Sequence, residues 1–318
     1  MPALLCVRLK HWRLQWNYGL GVTVIESKAW GMALHIALVG FALVSATGPA
    51  HAQATLPLEP SHDSGQSVTG AYEGWFKNPD GSFSLLFGYF NRNLKEEPDI
   101  PIGPDNDVEP GGPDRGQPTH FLPRRQWGLF TVTVPKDFGD KKVTWTLVVH
   151  GIKTVIPAGL NPLWEVSPFQ EIGINNTPPV ISFGEGAPSV QGPRPMEAKL
   201  PATVGVPLEL NLWIGDDAKV YPGEKPPVLP PVTLRWSKYR GPGTVTFANA
   251  KPPVEKTDDK TVVDAVFTGR SATTATFSDP GEYILHVVAN DWSGEGGRGF
   301  QCCWTNALVA VSVKAAAN

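Results

Sequence analysis

Residues 279–289 read DPGEYILHVVA, and this stretch decides the fold class. Its Asp-x-Gly-x-Tyr spacing is typical of a tyrosine corner, in which the glycine permits a tight entry and the Tyr283 hydroxyl bonds back to the backbone. Leu285 stands where an immunoglobulin domain has its second cysteine. Further out, Trp236 falls on a strand predicted over 233–238, at the place of the buried tryptophan of strand C. The stretch therefore predicts an immunoglobulin-like β-sandwich.

The flanking sequence extends this sandwich to a domain over residues 177–318. Apolar residues alternate with polar ones over 208–214, which is the pattern of a strand with one buried face. Further strands are predicted over 273–277 and 308–313. The domain begins at the Thr-Pro-Pro-Val segment 177–180, where turn-forming residues give way to β-type residues.

Three segments of this domain resemble a known family. VTLRWSKYRGPGTVTF at 232–247, ATFSDPGEY at 275–283 and VVAND at 287–291 look like PKD-type and related immunoglobulin-like modules of bacterial extracellular proteins, over about residues 178–314. The resemblance implies a sandwich that serves as a spacer, a binding unit or an adhesion unit. The complete chain also resembles a group of uncharacterised exported bacterial proteins, which implies no activity.

A second sandwich is predicted upstream, over residues 70–176. The Asp-Gly pair in the turn 78–81 joins two β-type runs, which is a strong hairpin signal. Later strands are expected over 127–135, 142–150 and 152–158. Residues 94–126 are rich in Pro, Gly and Asp and read as a long irregular loop of the kind that is functional or disordered. Residues 53–69 read as a disordered leader.

The N-terminal region predicts export. Residues 33–47 form an apolar run of 15 residues, which is too short for a membrane span but suits a signal-peptide core. Ala50-His51-Ala52 supplies the cleavage pattern, so residues 1–52 would be removed by cleavage after Ala52. Residues 1–31 are either a long basic n-region or untranslated sequence before Met32, and the alternative is a retained tethering helix. We expect a periplasmic or secreted protein whose mature chain has no transmembrane segment.

Composition narrows the function classes. Gly and Pro form about a fifth of the chain, which favours many short strands joined by turns. Removal of residues 1–52 takes four basic residues and one acid, and leaves a net charge near −6. With no basic stripe, nucleic acid is excluded as an expected partner. The sequence as a whole predicts an all-β protein with two tandem immunoglobulin-like β-sandwich domains after a signal peptide.

Cys302 and Cys303 are adjacent and are the only cysteines of the predicted mature chain. In an oxidising compartment two thiols rarely stay free, so we expect a vicinal disulfide. With Phe300 and Trp304 beside it in the glycine-rich loop 293–306, the pair predicts a rigid apolar platform for a ligand, or a redox switch. The other interpretation is a staple of the loop.

Two groups of acids are candidates for Ca²⁺, which prefers carboxylate and carbonyl oxygens. The first lies in the long loop and comprises Asp105, Asp107 and Asp114. The second combines Asp216 and Asp217 with Asp291, which end neighbouring β-type segments and should meet at one pole of the sandwich. The alternatives are solvation of the loop for the first group and Asx turns for the second.

A basic and aromatic cluster closes the long loop. His120, Arg124, Arg125 and Trp127 are candidates to bind a carboxylate, a phosphate or a sugar. The alternative is a loop held on its own sheet by arginine bridges to Asp105 or Asp114.

No catalytic motif is present: the sequence holds neither H-E-x-x-H nor G-x-S-x-G. We therefore predict a non-catalytic binding, adhesion or scaffold protein of the cell envelope, with a glycan or protein partner and no cofactor except candidate Ca²⁺. The tryptophans expected at the surface for stacking are Trp75, Trp127, Trp213, Trp292 and Trp304. The rival hypothesis is an extracytoplasmic hydrolase that uses the 94–126 loop with His120, and it requires His120 in a pocket beside a carboxylate.

Overall fold

The structure is a computed structural model, and it describes residues 61–184, 187–193, 196–225, 230–258, 265–291 and 302–316. These residues are almost wholly β-structure, and the one helical element among them is a short 3₁₀ turn at Pro162–Trp164. Within this part of the chain no helix has the length and apolar character needed to cross a membrane. The predicted signal peptide, Phe300 and Trp292 lie outside the described residues.

The first sandwich packs two three-stranded antiparallel sheets face to face. Sheet I contains β1 (Val68–Lys77), β2 (Phe83–Asn91) and β4 (Arg124–Val134). Sheet II contains β3 (Asn106–Glu109), β5 (Val143–Val149) and β6 (Ile152–Ala158). The core is centred on Trp145, which is fully buried and packs edge-on against Phe87 and Phe130.

The second sandwich pairs two larger sheets. Sheet III contains β7 (Val180–Ser182), β8 (Ser189–Gln191), β10 (Leu208–Asp216), β12 (Val245–Phe247), β13 (Glu255–Lys256) and β14 (Phe267–Phe277). Sheet IV contains β9 (Met196–Thr203), β11 (Thr233–Arg240), β15 (Gly281–Asn290) and β16 (Trp304–Lys314). Within sheet IV, β9 runs parallel to β16, and the other pairs are antiparallel.

The tyrosine corner is present as predicted. The Tyr283 hydroxyl donates to the Asp279 carbonyl at 2.9 Å and accepts from the Gly243 amide at 3.0 Å. Trp236 and Leu285 are both buried in the core of the second sandwich. The expected all-β, immunoglobulin-like fold class is therefore confirmed.

The long loop 94–126 is more ordered than its composition suggested. It contains β3, and β4 already begins at Arg124, three residues before the strand that we expected. Residues 61–67, expected to be part of a disordered leader, are tied to this loop by the Gly65 amide, which donates to Glu96 at 2.6 Å, and by an ion pair between Asp63 and Lys95.

The two sandwiches also contact each other through the outer faces of sheets I and IV. Leu86 of β2, Val288 of β15 and Trp304 of β16 form a small buried cluster between them. Gly128 lies against this cluster, because a Cβ at that position would come within 2.1 Å of the Trp304 ring. The described chain is consequently a stack of four sheets in which sheets I and IV are covered on both faces.

Candidate functional site

The exposed indole of Trp127 is the best-placed aromatic surface for a ligand. Trp127 lies on β4 where the pairing with β2 is interrupted between Phe87 and Tyr89. Such bulges re-aim side chains, and here the side chain is 45 % exposed. The Arg125 guanidinium lies 3.9 Å from the centre of its ring, so one face of the indole is supported from below.

A buried carboxylate fixes that arginine. Arg125 Nη2 donates to Glu73 Oε1 at 2.5 Å, and Arg125 Nη1 donates to the Tyr89 carbonyl at 3.0 Å. Glu73 Oε2 accepts from the Gly128 amide at 2.5 Å. Burial raises the pKa of Glu73 to about 7, against the opposing effects of Arg125 and the Gly128 amide. Glu73, Arg125 and Trp127 thus form a preorganised stack from the sheet interface to the surface.

Glu73 was missed by the sequence analysis, and the expected role of Arg125 changes. Arg125 is committed to Glu73 and to backbone carbonyls, which takes it out of the predicted anion site. The predicted bridges to Asp105 and Asp114 are not made by Arg125, and Asp114 pairs with Arg240 of the second sandwich. Arg124 is exposed and lies over the Phe90 ring, at 5.1 Å from its centre.

His120 is buried between two carboxylates. Its Nδ1 lies 2.9 Å from Asp99, and its Nε2 lies 2.9 Å from Glu97. Burial alone would lower the pKa of His120, but hydrogen bonds to Asp99 and Glu97 outweigh it and the pKa is raised. Lys238 of β11 also contacts Asp99, at 3.1 Å. His120 therefore takes part in holding the loop 94–126 against the second sandwich.

The two adjacent cysteines form the expected disulfide, but they are not exposed. Cys302 and Cys303 are bonded to each other, and the exposed fractions of the two residues are 3 % and 1 %. Trp304 is buried as well, because it packs between the sandwiches. The predicted surface platform is therefore corrected to a buried staple. Cys303 Sγ lies 3.4 Å from the carbonyl oxygen of Asn176, in the segment that joins the two sandwiches.

The two acidic groups have different outcomes. In the long loop, Asp107 pairs with Thr146 in β5 and Asp114 bonds Arg240, while the carbonyl of Asp105 accepts from Val148. At the pole of the second sandwich, Asp216, Asp217 and Asp291 do come together: burial raises the pKa of Asp216, and the nearby charges of Asp291 and Asp217 raise it further. The predicted Asx turns are also present, since Asp216 and Asp217 accept from the amides two residues on. Across the described residues, no three His, Cys, Asp or Glu side chains are arranged to hold a metal ion.

The other described tryptophans are less suited to hold a ligand, although Trp164 is as exposed as Trp127. Trp75 is buried, contrary to the prediction, because its indole nitrogen donates inward to the Asn161 carbonyl at 2.8 Å. Trp213 is half-buried in a shallow groove of about 390 Å³, under the Arg270 guanidinium. Trp164 is 48 % exposed and stacks on Tyr72, but no guanidinium of the described residues lies over its ring as Arg125 does at Trp127.

No protein-family model matches the chain, and no curated protein matches it. Among solved structures, the titin Ig tandem domains align with 79 % of this chain and 100 % of that chain, at 12 % identity and a TM-score of 0.21. A protein of unknown function from Porphyromonas gingivalis aligns with 77 % of this chain and 99 % of that chain, at 10 % identity and a TM-score of 0.22. TM-scores this low do not establish a shared fold. The fold class rests on the strand order and the Tyr283 corner.

Proposed function

We propose that this chain is an exported, non-catalytic binding module of the cell envelope that holds a glycan against the Trp127 indole. The observation that carries the proposal is the stack of Trp127 on Arg125 and Glu73. A sugar ring presents C–H groups on one face and hydroxyls at its rim, and an indole presents an apolar face with a polar edge. Because Trp127 is already fixed before binding, little conformational entropy is lost when a ligand docks.

Charge and sequence resemblance are consistent with this proposal. A mature chain with a net charge near −6 repels polyanions, whereas this charge does not affect the binding of a neutral glycan. The PKD-type resemblance of the second sandwich fits an extracellular module with a binding or adhesion role. Export is part of the proposal, and the mature protein would begin at Gln53, which N-terminal sequencing of the exported protein would check.

A glycan array on the mature protein tests the proposal. Trp127→Ala should lower binding at least tenfold, because stacking energy is lost while the fold is kept. The matched control is Trp164→Ala, which removes an indole of similar exposure without charged support and should leave binding unchanged. Equal binding by the Trp127→Ala variant, or capture of a protein partner with no glycan bound, would overturn the glycan assignment.

The hydrolase hypothesis requires His120 in a pocket beside a carboxylate, and the carboxylates of Asp99 and Glu97 do lie beside it. Two other observations count against the hypothesis. Both ring nitrogens of His120 contact carboxylates, so this arrangement leaves neither nitrogen to take a proton from a substrate. The groove beside the loop, of about 420 Å³, is lined by Asp99, Asp105 and His150 rather than by His120. These contacts favour a structural role for His120.

A further inference from the structure

The aspartates at the pole of the second sandwich meet the segment that joins the two sandwiches. Asp216 ends β10, and Asp291 follows β15 on the opposite sheet. The Asn176 side-chain amide donates to Asp291, and Thr177 donates to Asp217 from its backbone amide at 3.0 Å and its hydroxyl at 2.9 Å. Four chain segments, including the disulfide beside Asn176, therefore converge on one small polar region.

One oxygen in this region is buried and unpaired. Asp216 is 3 % exposed, and its Oδ1 accepts from the Ala218 amide at 2.7 Å. Among the described residues, its Oδ2 has no hydrogen-bond partner. An unpaired buried carboxylate facing two others is costly unless a proton or a cation compensates it.

We propose that this pole binds one Ca²⁺ ion, which Asp216 Oδ2 and the Asp291 carboxylate ligate. Rotation of the Asn176 side-chain amide by a half-turn would replace its donor nitrogen with a ligating oxygen. Backbone carbonyls and water would complete the six to eight oxygen ligands that Ca²⁺ takes at 2.3–2.6 Å, while Asp217 stays bonded to Thr177 and Lys219. The set holds two carboxylates and one amide, in agreement with the finding that no three acidic, histidine or cysteine side chains of the described residues surround one point.

The donor set selects the class of ion. All the polar side chains named are oxygen donors or can present one, and the two nearby sulfurs are bonded to each other. Zinc and copper sites are built mainly from nitrogen and thiolate ligands, and this group of side chains offers neither. Mg²⁺ demands rigid octahedral geometry, whereas Ca²⁺ tolerates an irregular shell.

The disulfide has a place in this site. The Asp291 amide donates to the Cys303 carbonyl at 3.3 Å, and the Cys303 sulfur contacts the Asn176 carbonyl. The pair therefore positions two of the proposed ligand residues, one on each side. Bound calcium would tie β10, β15 and the joining segment together at the same point.

Calorimetry and thermal unfolding of the mature, disulfide-intact protein test the proposal. After removal of metal with EDTA, CaCl₂ should bind with one ion per chain and raise Tm by about 5 °C once calcium is 100-fold above its Kd. MgCl₂ should bind at least tenfold more weakly. No heat and no Tm rise at millimolar calcium, or an equal response to magnesium, would overturn the proposal.

Variants locate the site. Asp216→Asn keeps the side-chain volume and the acceptor for the Ala218 amide, and it should weaken calcium binding at least tenfold. The control is Asp114→Asn, an acid held by Arg240 in the long loop, which should bind calcium as wild type does. Wild-type affinity in the Asp216→Asn variant would place the ion elsewhere and overturn the assignment.

Discussion

Glu73 and Asp216 are both buried carboxylates with a raised pKa, but their surroundings differ in kind. Glu73 contacts a guanidinium and a backbone amide, one on each oxygen. Asp216 has a backbone amide on one oxygen, no partner on the other in the part of the chain that the structure describes, and two further carboxylates nearby. Burial alone therefore does not define the role of a carboxylate. Glu73 has a partner on each oxygen within the fold and positions Trp127 through Arg125, whereas one oxygen of Asp216 would be compensated by a proton or a cation.

Removal of the Glu73 carboxylate should have the largest effect on the free energy of unfolding. Glu73→Leu strands the Arg125 charge at the sheet interface, and breaking a buried pair costs about 3–5 kcal/mol. Urea unfolding at neutral pH should show this loss. The double variant Glu73→Leu with Arg125→Leu removes both charges and should recover most of it. Equal losses in the single and double variants would mean that packing, not charge, governs this position.

A smaller loss is expected when the second donor to Glu73 is displaced. Gly128 has φ +49°, and an added Cβ would meet the Trp304 ring at 2.1 Å. Gly128→Ala should therefore cost about 2–3 kcal/mol from backbone strain and overpacking together. Gly139→Ala is the control, because its φ is +61° but its surroundings are open, and it should cost about 1 kcal/mol. Similar losses in both variants would contradict a tight contact with Trp304.

At Asp216 a substitution should stabilise the protein, whereas the two preceding substitutions destabilise it. Its pKa is raised when folded, so the folded state holds a proton that the unfolded chain releases, and stability falls as pH rises from about 4 towards 8. Asp216→Asn removes this loss, and its amide can donate to Asp291. In EDTA it should be about 1–2 kcal/mol more stable than wild type at pH 8, and the gain should shrink towards pH 4. A variant less stable than wild type at pH 8 would show that the carboxylate is well compensated.

Substitution of His120 should have the smallest effect on stability. Unlike Asp216, this group is a base, so its charged form is the protonated one. Its pKa is raised by Asp99 and Glu97 against burial and Lys238, so its stabilising effect is complete below pH 6.5 and is lost as pH rises through the folded pKa. His120→Gln should cost about 1 kcal/mol at pH 5.5 and less above neutrality. Urea titrations at the two pH values would check this. A loss that does not depend on pH would indicate that only the neutral ring matters.

Local signals made the second sandwich predictable. The Asp279 to Tyr283 spacing and the place of Trp236 encode a corner and a core position within a short stretch of chain. The meeting of Asp216 with Asp291 was predictable too, because both end strands at the same pole. In the first sandwich, the Asp-Gly hairpin turn was correct: the Gly81 amide donates to the Asn78 carbonyl at 3.0 Å.

Contacts between distant segments were not predictable. Glu73 reads as a solvent-facing residue of a strand, and only the irregular pairing between Tyr72 and Gly74 places it at the sheet interface. Its partner Arg125 lies 52 residues away. Trp304 was expected at the surface because it follows a glycine-rich loop, but Gly128 covers it. No local sequence pattern predicts that one sandwich packs against the other.

Tyr239 gives the stacked arrangement a thermodynamic consequence. It belongs to β11 of the second sandwich, but its ring is buried in the core of the first. Its hydroxyl donates to the Gly116 carbonyl at 2.6 Å, and its own carbonyl accepts from the amides of Thr119 and His120. Unfolding of either sandwich would expose the Tyr239 ring, which fills the core of the first sandwich although it belongs to the second. The two sandwiches should therefore unfold in one cooperative transition. A fragment that begins at residue 177 would expose the Tyr239 ring on its surface. We therefore expect the two sandwiches to form a single folding unit with two cores.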